Sequence, residues 1–287
     1  MSRVDVRKTH KLFIGGAFPR SESGRTYEVT DAKGEFLANV AQASRKDARE
    51  AVLAARAAFA KWSAATAYNR GQVLYRITEV MEGRREQFIA EVEQCEGLSS
   101  KKSANQVDAA IDRWVWYAGW ADKYAQVLGN TNPVAGPFFN FSIPEPTGVV
   151  AAVAPHDYSI LGLTSVIAPI ITTGNAVIVM PSPAHPIPAI TLAECLATSD
   201  VPAGVVNVLT GAPAEVMPRL AEHADVNALD LTGIVDGGVA EELERTAAGT
   251  VKRVRQPKPA ADWFAVPSLS RLRSFVEAKT VWHPMGQ

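Results

Sequence analysis

Val149-Val150-Ala151-Ala152-Val153, between Gly148 and the Ala154-Pro155 turn, opens the part of the chain that decides the fold. A short apolar run without alternation reads as a strand buried on both faces. Four similar runs follow, at Ala176–Val179, Val205–Leu209, Ala228–Leu231 and Val251–Val254. Between them lie segments of helical length, 160–173, 187–198, 214–222 and 237–248. Strands and helices in this alternation predict an α/β fold with a parallel, doubly wound sheet and right-handed crossovers.

Working outward, Lys11-Leu12-Phe13-Ile14 before Gly15-Gly16 reads as a strand entering a turn. Thr26–Val29 and Phe36–Val40 are strand-like around Lys33-Gly34. Ser44, with Asp47 three residues on, has the pattern of a capping box. Helical periodicity follows over 45–61 (Val52, Ala55, Phe59), 68–97 (Val73, Leu74, Ile77, Met81) and 106–128 (Ile111, Trp114, Ala118, Tyr124). The aromatic row of the third helix fits packing better than ligand binding. Asn130–Gly136 reads as a loop, and Phe138–Ile143 as an extended piece ending at Pro144, which suits an edge strand. Beyond Val254, Gln256–Asp262 is linker-like, Ser268–Glu277 a short helix or turn, and Glu277–Trp282 a terminal strand.

Composition narrows the function. Apolar residues make up 47% and charged residues 21%, ordinary for a soluble globular chain. Lys plus Arg is 29 against 30 Asp plus Glu, so no basic surplus points to a nucleic-acid partner. Lys252-Arg253-Val254-Arg255 is too short for a phosphate footprint and reads as a strand end. Met1–His10 lacks the apolar stretch of a signal peptide, and Ile160–Ile171 is too short and mixed to cross a membrane. Cys95 and Cys195 form neither a disulfide framework nor a metal-ligand set, and a reducing cytoplasm is the plain location.

Ligands of an open parallel sheet sit beyond its carboxyl edge, where helix N-termini present free N–H groups to anions. Four strand-exit loops qualify: 154–158, 180–183, 210–213 and 232–238. Gly233, Gly237 and Gly238 could admit a pyrophosphate, although no G-x-G-x-x-G is present.

These loops, in this order, resemble the aldehyde dehydrogenase superfamily. The resemblance rests on Leu12–Gly16, Tyr117-Ala118-Gly119-Trp120-Ala121-Asp122-Lys123, Glu145–Val150, Val201–Gly211 and Val276–Val281. It implies a Rossmann-like parallel sheet with flanking helices, an N-terminal helical layer and a small β oligomerisation arm. The implied division is 1–130 for the first part of the dinucleotide-binding domain and 131–147 for an arm hairpin. Residues 148–256 are then the βα units, and 257–287 a linker with the C-terminal oligomerisation strand. The implied cofactor is NAD(P), with cofactor-binding positions at Pro155, Asp157, Met180, Ser182, Gly211, Thr232, Gly233 and Gly237.

Several of these positions depart from the family pattern. Asp157 stands where an asparagine amide helps hold the oxyanion, and losing such a donor costs about 2.7–4 kcal/mol. Asp157 could instead be an acid/base, an exposed loop carboxylate or one paired with a partner's Arg or Lys; His156 could titrate near neutrality, or be a surface or packed histidine. Met180 replaces a ribose-binding lysine, Pro183 a frequent acidic residue and Ile234 a phosphate-facing hydroxyl. Pro213 and Met217 stand where small residues are usual, and Met180 and Ile234 could fill the cofactor cleft. Thr232-Gly233 could cap a helix with no ligand at all.

After Lys252-Arg253-Val254, the position of the family's general-base glutamate holds Pro257, and no nucleophile motif follows. Cys95, after a long helix, and Cys195, within one, read as structural. No catalytic or metal-binding residue is therefore expected. The resemblance implies a non-catalytic subunit whose arm needs the catalytic-domain sheet of a full-length aldehyde dehydrogenase partner. The alternatives are a nucleotide-binding sensor and an altered oxidoreductase acting on aldehydes through Cys195 or a partner's nucleophile.

Overall fold

The computed structural model describes residues 8–257 and 262–286. Part of the linker, 258–261, and most of Met1–His10 therefore lie outside the described residues. β1 (Thr9–His10), β2 (Thr26–Thr30) and β3 (Phe36–Ala41) form a small sheet in the order β1-β3-β2. The strand expected at 11–14 lies earlier, and Phe13 and Ile14 make only isolated bridges, to Val208 and Ala17.

The helical layer comprises α1 (Arg45–Ala64), α2 (Ala67–Gly83), α3 (Arg85–Glu96), α4 (Ser100–Trp120) and α5 (Tyr124–Leu128). The capping box is present: Ser44 Oγ accepts from Asp47 N, and Asp47 accepts from Ser44 N at 2.7 Å. The single helix expected over 68–97 breaks at Arg84, and Cys95 lies inside α3 instead of after a helix. The expected third helix starts earlier, at Ser100, and breaks after Trp120.

The arm sheet is β4 (Asn130–Asn132), β5 (Phe138–Pro146) and β11 (Val276–Pro284), in the order β11-β5-β4. Two expectations change here. Asn130–Asn132 is strand, not loop, and β5 is the central strand. Pro144 and Pro146 are tolerated because β4 pairs only with Asn140–Ser142, leaving β11 as the sole neighbour at the prolines.

The decisive stretch is β6 (Val149–Val153). α6 (Leu161–Thr172), β7 (Ala176–Met180), α7 (Ile187–Ala197), β8 (Val206–Val208), α8 (Pro213–Glu222), β9 (Ala228–Asp230), α9 (Gly237–Ala248) and β10 (Arg253–Arg255) follow. β10 starts later than expected. α10 (Leu269–Ser274) leads into β11. The central sheet is parallel throughout, in the order β10-β9-β6-β7-β8, so its chain order reverses at β6.

Two cores sandwich this sheet. Val150, Ala152, Val177 and Val179 face a core that includes α2, α3, α4, α6 and α7 residues. Val149, Ala151, Val153, Ala176, Ile178 and Met180 face a second, with residues of α1, α8 and α9. The continuous apolar runs thus record a sheet covered on both sides. Each buried Val or Leu contributes about 1.5–3 kcal/mol. Among the described residues no helix is long and apolar enough to cross a membrane.

Candidate functional site

The reversal at β6 directs attention to the carboxyl edge of the sheet, where all eight predicted positions lie. Pro155 and Asp157 follow β6, Met180 ends β7 with Ser182 just beyond, Gly211 follows β8, Thr232 and Gly233 follow β9, and Gly237 starts α9. The β6 and β9 exits touch: Gly233 N donates to Val153 O at 2.9 Å, and a Cβ on Gly233 would meet Ala154 O at 2.1 Å. Gly211, at φ +121°, packs beside Gln42 and Ala43.

The chemistry of this edge is set by the chain's own carboxylates. At the α6 N-terminus, Glu96 Oε1 accepts from Ser159 N at 2.8 Å and from Ser159 Oγ, and Gln106 Oε1 accepts from Ile160 N at 3.3 Å. At the α9 N-terminus, Asp236 accepts from Gly238 N at 2.8 Å and from Val239 N at 3.4 Å. The cap is therefore Asp236, not Thr232-Gly233. Thr232 donates instead to Asp230. Met180 is wholly buried in the second core, as is Ile234 for the most part. Ser182 is buried, with Oγ accepting from His185 N at 3.3 Å.

A cavity of about 470 Å³ opens at this edge between Glu96, Lys102, Gln106, Asp157, Tyr158, His185 and Phe264. Asp157 and His156 are exposed, so His156 is not a packed histidine. Tyr158 has φ +59° and stands edge-on to Phe264, ring centres 5.8 Å apart. Of the eight predicted residues, Asp157 lines this cavity and Thr232 a second, of about 220 Å³.

The cysteines lie elsewhere. Both are free and buried. Burial pushes the Cys95 thiol up to about 12 and the Cys195 thiol up to about 11, the latter despite Arg84 Nη1 at 3.9 Å. Neither is a thiolate at neutral pH. Among the described residues no group of His, Cys, Asp or Glu could hold a metal ion.

The second cavity was not foreseen. It brings together Arg113, Tyr117, Thr232, Arg255, Asp262, Trp263 and Arg271. These residues are scattered from 113 to 271, and no local motif joins them.

A family model for the aldehyde dehydrogenase family matches residues 18–259. The chain belongs to the aldehyde dehydrogenase family. It is 33% identical over 262 residues to retinal dehydrogenase 2 of Gallus gallus, covering 88% of this chain and 48% of that protein. It is 33% identical over 263 residues to cytosolic 10-formyltetrahydrofolate dehydrogenase of Homo sapiens, covering 88% of this chain and 29% of that protein. A crystal structure of betaine aldehyde dehydrogenase from Staphylococcus aureus in complex with NAD+ superimposes with a TM-score of 0.80 at 26% identity, covering 85% of this chain and 48% of that one. The chain thus spans half the length or less of these relatives.

The family implies NAD(P), but the residues present fit it poorly. A dinucleotide phosphate at the sheet edge would meet helix N-termini already held by Glu96 and Asp236, with Asp157 nearby. Like charges repel there, and Met180 offers no cation to compensate. No step can be derived through the cofactor on these residues.

Proposed function

We propose that this aldehyde dehydrogenase family chain is a non-catalytic subunit that assembles with a full-length NAD(P)-dependent aldehyde dehydrogenase. The observation that carries the reading is the arm. β5 and β11 pair over nine residues, Phe138–Pro146 against Val276–Pro284. β11 forms the outer edge of that sheet; Trp282 on β11 and Phe138, Phe139 and Ile143 on β5 are exposed. The segment between β10 and α10, where the resemblance would place a catalytic domain, runs only from 256 to 268. An exposed strand edge beside exposed aromatics is an aggregation hazard unless a partner strand covers it.

The buried, protonated cysteines and the carboxylate-filled sheet edge support an assembly role over catalysis. The two free cysteines fit a cytoplasmic setting. Affinity capture after co-expression with a full-length aldehyde dehydrogenase from the same genome tests the reading. The partner should be captured by this chain and lost with the exposed pair Phe139→Ala and Trp282→Ala. Equal capture by the variant would refute the arm's role.

A further inference from the structure

We infer that the cavity between α4, the ends of β9 and β10 and the segment entering α10 is a binding site for a small oxyanion, a phosphate or carboxylate. Three arginines converge on it: Arg113 from α4, Arg255 from the end of β10 and Arg271 from α10. Asp230 and Asp262 oppose them. Asp230 is fully buried and neutralised by Arg271, whose Nη1 lies 3.2 Å away. Asp262 lies at the cavity rim and is exposed. One positive charge remains in excess, carried by the Arg113 and Arg255 side.

The polar atoms left over point to a ligand. Tyr117 is 0% exposed, lines the cavity, and its hydroxyl has no hydrogen-bond partner among the described residues. Arg255 Nη1 donates to Ser274 Oγ at 2.7 Å, but its Nε is buried and has no partner among the described residues. Buried polar groups are almost always satisfied, and an orphaned hydroxyl and guanidinium N–H in one basic cavity match an acceptor oxyanion. Burial and the neighbouring Arg271 both disfavour the charge on Arg255, and a bound anion would relieve that cost. Trp263, stacked 5.3 Å from the Arg271 guanidinium, closes one wall. The site is about 220 Å³, room for a small molecule and not for a dinucleotide.

The site needs no partner subunit, so its test is independent of the arm. Isothermal titration of the whole chain with inorganic phosphate, and separately with malonate, at ionic strength fixed with potassium chloride, should show saturable one-to-one binding of at least one of them. Tyr117→Phe keeps the ring and removes the hydroxyl; Arg255→Gln removes the charge. Each should weaken binding about tenfold, the size expected for one charge-assisted hydrogen bond, with the circular dichroism spectrum unchanged. Phosphate alone binding would assign a phosphorylated ligand, and malonate alone a carboxylate. No binding of either, or binding unchanged in both variants, would overturn the assignment. If a variant fails to fold, Arg255→Lys, which keeps the charge and removes the Nε–H, is titrated with whichever anion the unaltered chain binds; unchanged affinity would refute the site.

Discussion

Arg271 on α10 reaches the wholly buried carboxylate of Asp230 at the end of β9, Nη1 to Oδ2 3.2 Å, and donates through Nη2 to Thr232 Oγ1 at the same distance. One side chain thus ties the returning C-terminal segment to the central sheet. The guanidinium is itself largely buried, so the pair is poorly screened by solvent.

Arg271→Ala leaves Asp230 with only Thr232 as donor. Breaking a buried pair by removing one partner costs about 3–5 kcal/mol. Urea unfolding should show a loss of that order, and a loss below about 1 kcal/mol would mean the pair is solvated.

Asp47 accepts from Ser21 Oγ at 2.7 Å, Glu22 N at 3.0 Å and Ser44 N at 2.7 Å. It is the reciprocal member of the capping box and also anchors the 21–22 turn. Ser44→Ala should cost about 1 kcal/mol, the usual value of an N-cap. Asp47→Ala should cost more, because it orphans three donors. Thermal melts of the two variants give the ranking directly.

His10 is buried in β1, and that burial, with Lys8 adding to it, lowers its pKa to about 4 against Glu194 acting the other way. The unfolded chain titrates near 6.5. Between these values the unfolded state binds the extra proton, so this contribution to stability falls as pH drops from 6.5 to 4. The full effect is about 3 kcal/mol. Chemical denaturation of the parent chain and His10→Gln across this window should show the parent losing stability relative to the variant as pH falls; parallel curves would show that His10 is solvated.

Cys95 and Cys195 should resist thiol reagents in the folded state at pH 8, because both thiols stay protonated well above that pH. Dithionitrobenzoate should titrate both only on unfolding. Rapid labelling of one thiol in the folded chain would revive the altered-oxidoreductase reading.

The parts of the fold legible in the sequence share one physical signature. Val149–Val153 and Ala176–Met180 are apolar at every position because cores press on both faces, so burial is written along the strand. The Ser44–Asp47 cap was legible because its partners are three residues apart. The break at Arg84 was not, since apolar spacing runs on from Met81 to Phe88 across it. Asn130–Asn132 is polar and becomes strand through its ladder with Asn140–Ser142, which no local pattern encodes.

The same division applies at the sheet edge. Strand-exit loops could be placed from the sequence, since they follow apolar runs. Their occupants could not, because Glu96 reaches the α6 N-terminus from another helix. The arginine cavity was hidden for the same reason: Arg113 belongs to a helix read as packing, and Arg255 to a run read as a strand end.

The central claim is that the exposed arm serves assembly with a full-length relative. Native mass spectrometry after co-expression of the two tests it most directly. The account predicts a discrete hetero-oligomer of fixed stoichiometry, dissociated by Phe139→Ala with Trp282→Ala. A homogeneous monomer of this chain beside a homo-oligomer of the relative would contradict it.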